Sequence, residues 1–168
     1  MRRFLAATAL AAVAIGLAAC ATPTTAPTLP PSSVTSAGVW AYSFDAGPGI
    51  ATAILTGADG RTLVRLQCQA PRGDLIVTDW TFSRVRQGEV ATTVTVGSAT
   101  KSFPARVAGD GAGRQALAFT LPTRDPLWNA LTPAATVKTE GGGFTHVWAA
   151  ESASRINDVL NSCRALGS

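Results

Sequence analysis

Residues Thr62–Gln69 read TLVRLQCQ, and apolar and polar side chains alternate along the whole stretch. Val64, Leu66 and Cys68 occupy every second position, with arginine or glutamine between them. Successive side chains of a β-strand point to opposite sides of the sheet. The stretch therefore predicts a strand with one packed face and one solvated face.

Similar short runs, rich in Val, Ile, Leu, Thr and aromatic residues, recur between breaks that contain glycine. Breaks such as Gly47-Pro48-Gly49 and Asp59-Gly60 suit tight turns. This spacing predicts a mainly β domain, an antiparallel β-sandwich or flattened barrel of about seven to nine strands. The predicted strands are Val39–Asp45, Ile50–Thr56, Thr62–Gln69, Leu75–Phe82, Val90–Val96, Ser102–Ala108, Gln115–Leu121, Thr136–Glu140 and Phe144–Ala149.

The end of the chain has a different period. Ile156, Val159, Leu160 and Cys163 stand at positions i, i+3, i+4 and i+7, which is the apolar stripe of an amphipathic helix. The domain is therefore expected to end in an α-helix. A short helix is also predicted around residues 125–131, because Pro126 suits a first helical turn.

The start of the chain has the layout of a secretory signal. Two arginines precede a largely alanine-based apolar run that ends in Leu17-Ala18-Ala19-Cys20. The run falls short of the ~20 residues of a spanning helix, which disfavours an uncleaved anchor. The segment resembles the lipobox of bacterial lipoproteins. The resemblance implies that residues 1–19 are a signal peptide and that Cys20 is lipidated. In lipoproteins of enteric bacteria, aspartate directly after the lipidated cysteine retains the protein at the inner membrane. This chain has Ala21 at that position, so the resemblance favours the outer membrane.

A proline-rich segment follows the cysteine. Residues 21–37 read ATPTTAPTLPPSSVTSA, with four prolines and no charge. Proline fixes φ and removes an amide donor, so such a stretch favours extended conformers. Residues 20–37 are therefore predicted to be a lipidated tether, and residues 38–168 a globular β-domain.

Two cysteines remain once Cys20 is acylated. Cys68 lies on the packed face of a strand and Cys163 on the apolar face of the last helix. In an oxidising compartment we expect them to form a disulfide that joins the helix to the sheet. The alternative is a redox or metal pair, but no Cys-x-x-Cys spacing is present.

The charge pattern excludes some partners. Without Arg2 and Arg3, the chain has 12 basic and 10 acidic residues, a formal charge of +2, and no basic run that could follow a phosphate backbone. No nucleic acid is expected as a partner. One histidine and three cysteines leave little room for a zinc site, so no metal or cofactor is expected.

Few residues point to chemistry. His146 is the only imidazole, and a hydrogen-bonded histidine beside Phe144 and Trp148 is the expected role. It is also the only histidine that a nucleophile–histidine–carboxylate triad could use, yet no Gly-x-Ser-x-Gly motif accompanies it. Asp74 and Asp79 are predicted to point to opposite faces of one strand, which disfavours a carboxylate pair.

Some aromatic and basic side chains are candidates for ligand binding. Trp40 and Trp80 could contribute to a platform on which sugars stack, although packing is the more common role of tryptophan in small β-domains. Arg84 and Arg86 could contact anionic lipid headgroups or an acidic partner, against the alternative of a solvated edge.

The arrangement of Trp40, Cys68 and Cys163 also carries a resemblance. A tryptophan opening the domain, a cysteine in an apolar third strand and a cysteine in a terminal helix are similar to small exported β-domains of Gram-negative bacteria. These include accessory proteins of type VI secretion and invasion-associated proteins. The resemblance carries no catalytic residue over to this chain.

The expected function is therefore that of a non-enzymatic binding or scaffolding module. A lipid anchor would hold it to the outer membrane, facing the periplasm or the cell exterior. Its expected partners are envelope proteins, peptidoglycan or glycan. The alternative is an envelope hydrolase that uses His146 together with a serine or a carboxylate.

Overall fold

The computed structural model describes residues 32–69, 71 and 73–166. The predicted signal peptide, Cys20 and most of the predicted tether lie outside the described residues. Short 3-10 helices cover Trp80–Phe82 and Pro126–Ala130, and one α-helix, α1, covers Ser152–Leu166. The strands are β1 Ser32–Thr35, β2 Gly38–Asp45, β3 Ile50–Gly57, β4 Thr62–Gln69, β5 Leu75–Asp79, β6 Gly88–Val96, β7 Ala99–Gly109, β8 Gln115–Leu121, β9 Val137–Gly141 and β10 Phe144–Val147.

The strands form a single sheet that curls into a half-barrel. Their order across the sheet is β1-β10-β9-β6-β7-β8-β5-β4-β3-β2. Every neighbouring pair is antiparallel except β1 and β10, which run parallel. The prediction of a mainly β, largely antiparallel domain with a C-terminal helix is confirmed.

Each of the nine predicted strands is present, but β7 is four residues longer than predicted and β5 is three residues shorter. This strand was expected to continue to Phe82 but ends at Asp79. The Asp79 carboxylate accepts hydrogen bonds from the amide and the hydroxyl of Thr81 and so caps the 3-10 helix Trp80–Phe82. A local side-chain acceptor of this kind competes with continued strand pairing.

The tenth strand corrects the predicted end of the tether. β1 lies inside the range 20–37, so the sheet begins by Ser32 rather than at Gly38. Ser32 pairs with Phe144 and Thr35 with Val147. The sequence did not predict this strand, because it lies within a proline-rich segment. Its pairing partner is also more than 100 residues away in the sequence.

Strands β1 and β2 are the two edges of the sheet, yet only Ser36 and Ala37 separate them in the chain. The backbone therefore crosses from one edge of the half-barrel to the other at this junction. The amide of Ser36 donates to the carbonyl of Val147 at 3.0 Å, which ties the junction to the end of β10.

Helix α1 packs against the half of the sheet that contains β2, β3, β4 and β5. The predicted apolar stripe, including Ile156 and Leu160, is buried there. Cys68 of β4 and Cys163 of α1 form the predicted disulfide, with 5.7 Å between their Cα atoms. Among the described residues, no helix has the length and hydrophobicity to cross a membrane.

Candidate functional site

A cleft of about 900 Å³ opens beside the β1–β2 junction. Its walls come from β1, the β3–β4 turn, the 3-10 helix after β5 and the start of β8. The charged residues that line it are Arg61, Arg84, Arg114 and Asp59, and seven of the other lining residues are serines or threonines. We call it the arginine cleft. Its volume falls within the range of small-ligand sites.

Trp80 organises one wall of the arginine cleft. Its indole Nε1 donates to Asp110 Oδ2 at 2.9 Å. The guanidinium carbons of Arg65 and Arg114 lie 5.5 and 5.1 Å from the indole ring centre, within the range of cation–π attraction. The indole is therefore occupied by two guanidinium groups, so it braces arginines rather than offering a free surface to a sugar.

Asp110 holds this wall together. Desolvation acts to raise the pKa of the Asp110 carboxyl. Hydrogen bonds from the amides of Arg114 and Ala112, from the Trp80 indole and from the Arg114 guanidinium outweigh it and lower that pKa below its ordinary value. The Arg114 guanidinium also donates to the carbonyl of Thr62 at 3.4 Å. Arg114 is thus fixed in place, and much of its charge is compensated.

The second feature of the cleft is a chain of hydrogen bonds that begins at Ser36 and continues through two buried side chains. Ser36 Oγ is 2.6 Å from His146 Nε2, and His146 Nδ1 is 2.6 Å from Asp79 Oδ2. His146 and Asp79 are 0% exposed, whereas Ser36 is 8% exposed and lines the arginine cleft. The structure therefore joins serine, imidazole and carboxylate into one hydrogen-bonded chain that reaches the cleft only through the serine.

Both oxygens of the Asp79 carboxylate accept hydrogen bonds. Its Oδ1 accepts from the amide and hydroxyl of Thr81 at 3.0 and 2.6 Å, and its Oδ2 also accepts from Thr139 Oγ1 at 3.1 Å. The Trp148 indole in turn donates to Thr139 at 3.0 Å. A carboxylate can only accept, so we assign the proton of neutral His146 to Nδ1. Nε2 is then left to accept the hydroxyl proton of Ser36.

Comparisons with protein-family models, with curated proteins and with solved structures found no match. Within the described part of the chain, no group of three or more His, Cys, Asp or Glu side chains could hold a metal ion. The two features of the cleft, its arginines and its Ser36–His146–Asp79 chain, are therefore the basis for a functional proposal.

Only some of the residues predicted to bind a ligand line the arginine cleft. Trp80 and Arg84 line the arginine cleft, and Arg84 is exposed. Arg86 is also exposed but lies outside the lining. Trp40 does not line the cleft: it is 6% exposed and packs against Trp148, with 6.2 Å between ring centres. The inward face of β2 carries it into the core, so it cannot contact a ligand in the cleft.

His146 has the hydrogen-bonded position beside aromatics that was expected, but the sequence did not reveal its partners. Ser36 fell within the predicted tether, and Asp79 was considered only as a partner for Asp74. His146 and Asp79 are 67 residues apart, and His146 and Ser36 are 110 apart. Such a set is recognised by geometry and not by spacing. The one available signal was that His146 is the single imidazole of the chain.

Proposed function

We propose that the protein is a lipid-anchored module of the bacterial cell envelope that binds an anionic glycan, such as peptidoglycan, in its arginine cleft. Lipidated Cys20 would hold it to the outer membrane, and the segment before Ser32 would serve as the tether. The lipobox supports the anchor, and the cleft supports the binding. This role as a binding or scaffolding module needs no chemical step.

The distribution of charge is the observation that carries the proposal. After residue 19 the whole chain has a formal charge of +2, and the lining of the arginine cleft alone, with three arginines and one aspartate, also amounts to +2. The excess positive charge is therefore concentrated at this site. Apart from Ser36 and Thr81, whose hydroxyls contact His146 and Asp79, five serines and threonines of the lining add the hydroxyl groups with which proteins hydrogen-bond sugars.

Two arginines of the cleft are available to a ligand. Arg84 has no ion pair among the described residues, and it is exposed. Arg61 lies 3.6 Å from Asp59, but both side chains are more than half exposed, so this pair holds the charge only weakly. Arg114, by contrast, is already compensated by Asp110 at 3.1 Å. Arg84 and Arg61 are accordingly the residues expected to contact carboxylates.

Co-sedimentation with isolated peptidoglycan sacculi tests this proposal, with the full-length lipoprotein in detergent. We expect Arg84→Glu to weaken binding about 10-fold or more, because reversal of a contacting charge costs at least ~1.4 kcal/mol. Arg124→Glu is the control, since it makes the same charge change at an exposed residue outside the arginine cleft. Equal losses in both variants, or no binding by the wild type, would contradict the proposal. An acidic envelope protein would then be the ligand to examine.

The second candidate function is that of an envelope hydrolase that uses His146. One specific observation favours it, the hydrogen-bonded chain from Ser36 through His146 to Asp79. A folded His146→Gln variant separates the two candidates. A pure binding module should retain its affinity for sacculi, whereas a hydrolase should lose the release of product from envelope material.

A further inference from the structure

We infer that Ser36 is a nucleophile for acyl transfer, and that its substrate is a carboxylic ester carried by an anionic, hydroxyl-rich envelope molecule. The inference rests on the arginine cleft being a binding site, as proposed above, and adds a chemical step to that binding. Ester O-acyl groups on glycans belong to this substrate class.

The contacts of Ser36, His146 and Asp79 follow the order that a serine nucleophile requires. A serine nucleophile needs a base within about 2.6–3.2 Å, and the base needs a third group that orients it. Ser36 Oγ lies 2.6 Å from Nε2 of His146, and the other ring nitrogen lies 2.6 Å from Asp79. The serine thus faces Nε2 and the carboxylate faces Nδ1, which is the arrangement of a serine–histidine–aspartate triad.

Burial decreases along the hydrogen-bonded chain from Asp79 and His146 to Ser36. Asp79 and His146 are fully buried, and Ser36 is the one member of the chain that lines the cleft. A ligand in the cleft therefore contacts Ser36 and not the imidazole or the carboxylate behind it. Asp79 also accepts three hydrogen bonds from Thr81 and Thr139, so the carboxylate that orients His146 is rigidly held.

The reaction balances with water as the second substrate. Ser36 Oγ bonds to the ester carbonyl carbon while its proton passes to His146 Nε2. The carbon–oxygen bond to the alcohol then breaks, and the alkoxide takes that proton. Water next loses a proton to Nε2 and attacks the carbonyl carbon of the acyl-serine. The bond from that carbon to Oγ then breaks, Oγ takes the proton back from Nε2, and the carboxylic acid is released. Asp79 takes no proton in these steps; it orients His146 and stabilises the imidazolium.

The cleft favours an ester over a less reactive substrate. Arg61 and Arg84 line the same cavity as Ser36, so their positive charge would favour the oxyanion that forms at the carbonyl oxygen. An ester releases an alkoxide, which is a better leaving group than the amide anion that would have to leave from an unprotonated amide, so an ester needs less assistance than an amide. The arginines would also attract the anionic group of the same molecule, so recognition and chemistry would share one site.

Ser36 has a structural role as well, and the test must allow for it. Its amide bonds to Val147 and its hydroxyl to His146, and both contacts hold the β1–β2 junction onto β10. Loss of stability in a Ser36 variant would therefore not identify a nucleophile. Covalent labelling of the folded wild-type protein avoids this ambiguity.

The experiment treats the purified full chain with a fluorophosphonate probe and maps the adduct by mass spectrometry. We expect labelling at Ser36, no adduct in Ser36→Ala, and labelling at least 100-fold slower in His146→Gln, because a positioned base contributes about 10²–10⁴-fold. Ser98→Ala is the matched control, since Ser98 is an exposed serine outside the arginine cleft. It should label like the wild type and should hydrolyse p-nitrophenyl acetate at the same rate.

Folded wild-type protein that remains unlabelled at Ser36 would overturn the inference, and so would equal labelling rates in the wild type and His146→Gln. These results are distinguishable from a failure of the binding proposal. Protein that binds sacculi through Arg84 but is not labelled would disprove only the nucleophile. Protein that is labelled at Ser36 but does not bind sacculi would disprove only the glycan as ligand.

Discussion

At the residue scale, the turn between β9 and β10 depends on two glycines that are not equivalent. Gly142 and Gly143 have φ values of 56° and 77°, the positive φ that two-residue hairpin turns favour at both positions. A Cβ at Gly142 would lie 2.3 Å from Val85 Cγ1, whereas a Cβ at Gly143 would meet nothing within 4 Å. Val85 is buried and β-branched, so it has little freedom to move.

The two positions should therefore respond differently to alanine. Gly143→Ala should cost about 1–2 kcal/mol, the strain of a left-handed conformation. Gly142→Ala should cost about 2–4 kcal/mol, because the overlap with Val85 adds to that strain. Urea unfolding at neutral pH measures both values. Equal costs would show that Val85 yields more easily than its packing indicates.

The Asp125 carboxylate makes the stability of the fold depend on pH. It is 7% exposed and caps the 3-10 helix Pro126–Ala130, while Lys101 Nζ lies 2.5 Å from its Oδ2. Burial acts to raise the pKa of Asp125, but hydrogen bonds from Lys101 and from the Leu127 amide, with the lysine charge, outweigh it and lower that pKa below its ordinary value. A carboxylate whose pKa is lower in the folded than in the unfolded protein stabilises the fold at pH values above the unfolded pKa. This stabilisation is lost as the pH falls through the folded pKa.

Asp125→Asn should therefore lower the free energy of unfolding at pH 7 by about 1–3 kcal/mol, the cost of a lost charged hydrogen bond. The difference from the wild type should stay constant above about pH 5 and shrink below about pH 4. Unfolding curves at several pH values test this. A difference that does not change between pH 7 and pH 2 would contradict the assignment to the carboxylate charge.

At the scale of elements, sequence patterns were informative wherever one face of an element is packed. Alternation in β4 and the heptad-like stripe of α1 predicted these elements and the disulfide that joins them, because burial on one side leaves a periodic trace. Hydrophobic periodicity did not predict strand positions that depend on pairing with a distant strand or on a local side-chain cap. β1 is a short edge strand with all four residues exposed, so it has no periodic trace. β5 ends where Asp79 binds Thr81, a contact that hydrophobic periodicity does not register.

The same reasoning explains why the site was only partly predictable. His146 was singled out as the one imidazole, and Trp80 and Arg84 as candidates for ligand contact. Ser36 and Asp79 were missed, because the curvature of the sheet and the crossing between its edges bring them to His146. Neither property can be read from local sequence.

The helix–sheet disulfide gives a prediction at this scale. Cys68 and Cys163 are 95 residues apart in the chain and are both fully buried. The double substitution Cys68→Ala, Cys163→Ala should lower the free energy of unfolding by about 2–5 kcal/mol. Hydrogen exchange should accelerate most in α1 and least in β6 and β7, which α1 does not cover. Uniform acceleration across the sheet would contradict the view that the bond mainly retains the helix.

At the scale of the whole molecule, the half-barrel places its chain entry and its cleft on the same side. β1 is the first described element after the proposed tether, and Ser32, Ser33 and Thr35 of β1 all line the arginine cleft. A lipid anchor at Cys20 would thus be connected directly to a wall of the binding site. The segment between Cys20 and Ser32 would then set how far the cleft lies from the membrane that bears the protein.

The anchor itself gives the last prediction. Two or three acyl chains, at roughly 0.8 kcal/mol per buried methylene, hold a protein stably to a membrane. Cys20→Ala should therefore yield either unprocessed precursor or a soluble form on fractionation, while the wild type stays with outer-membrane fractions and carries labelled palmitate. The double variant of Cys68 and Cys163 is the matched control, because it removes thiols that are fully buried in the described fold and should leave membrane association unchanged. Mature, membrane-bound Cys20→Ala protein would show that another segment attaches the chain.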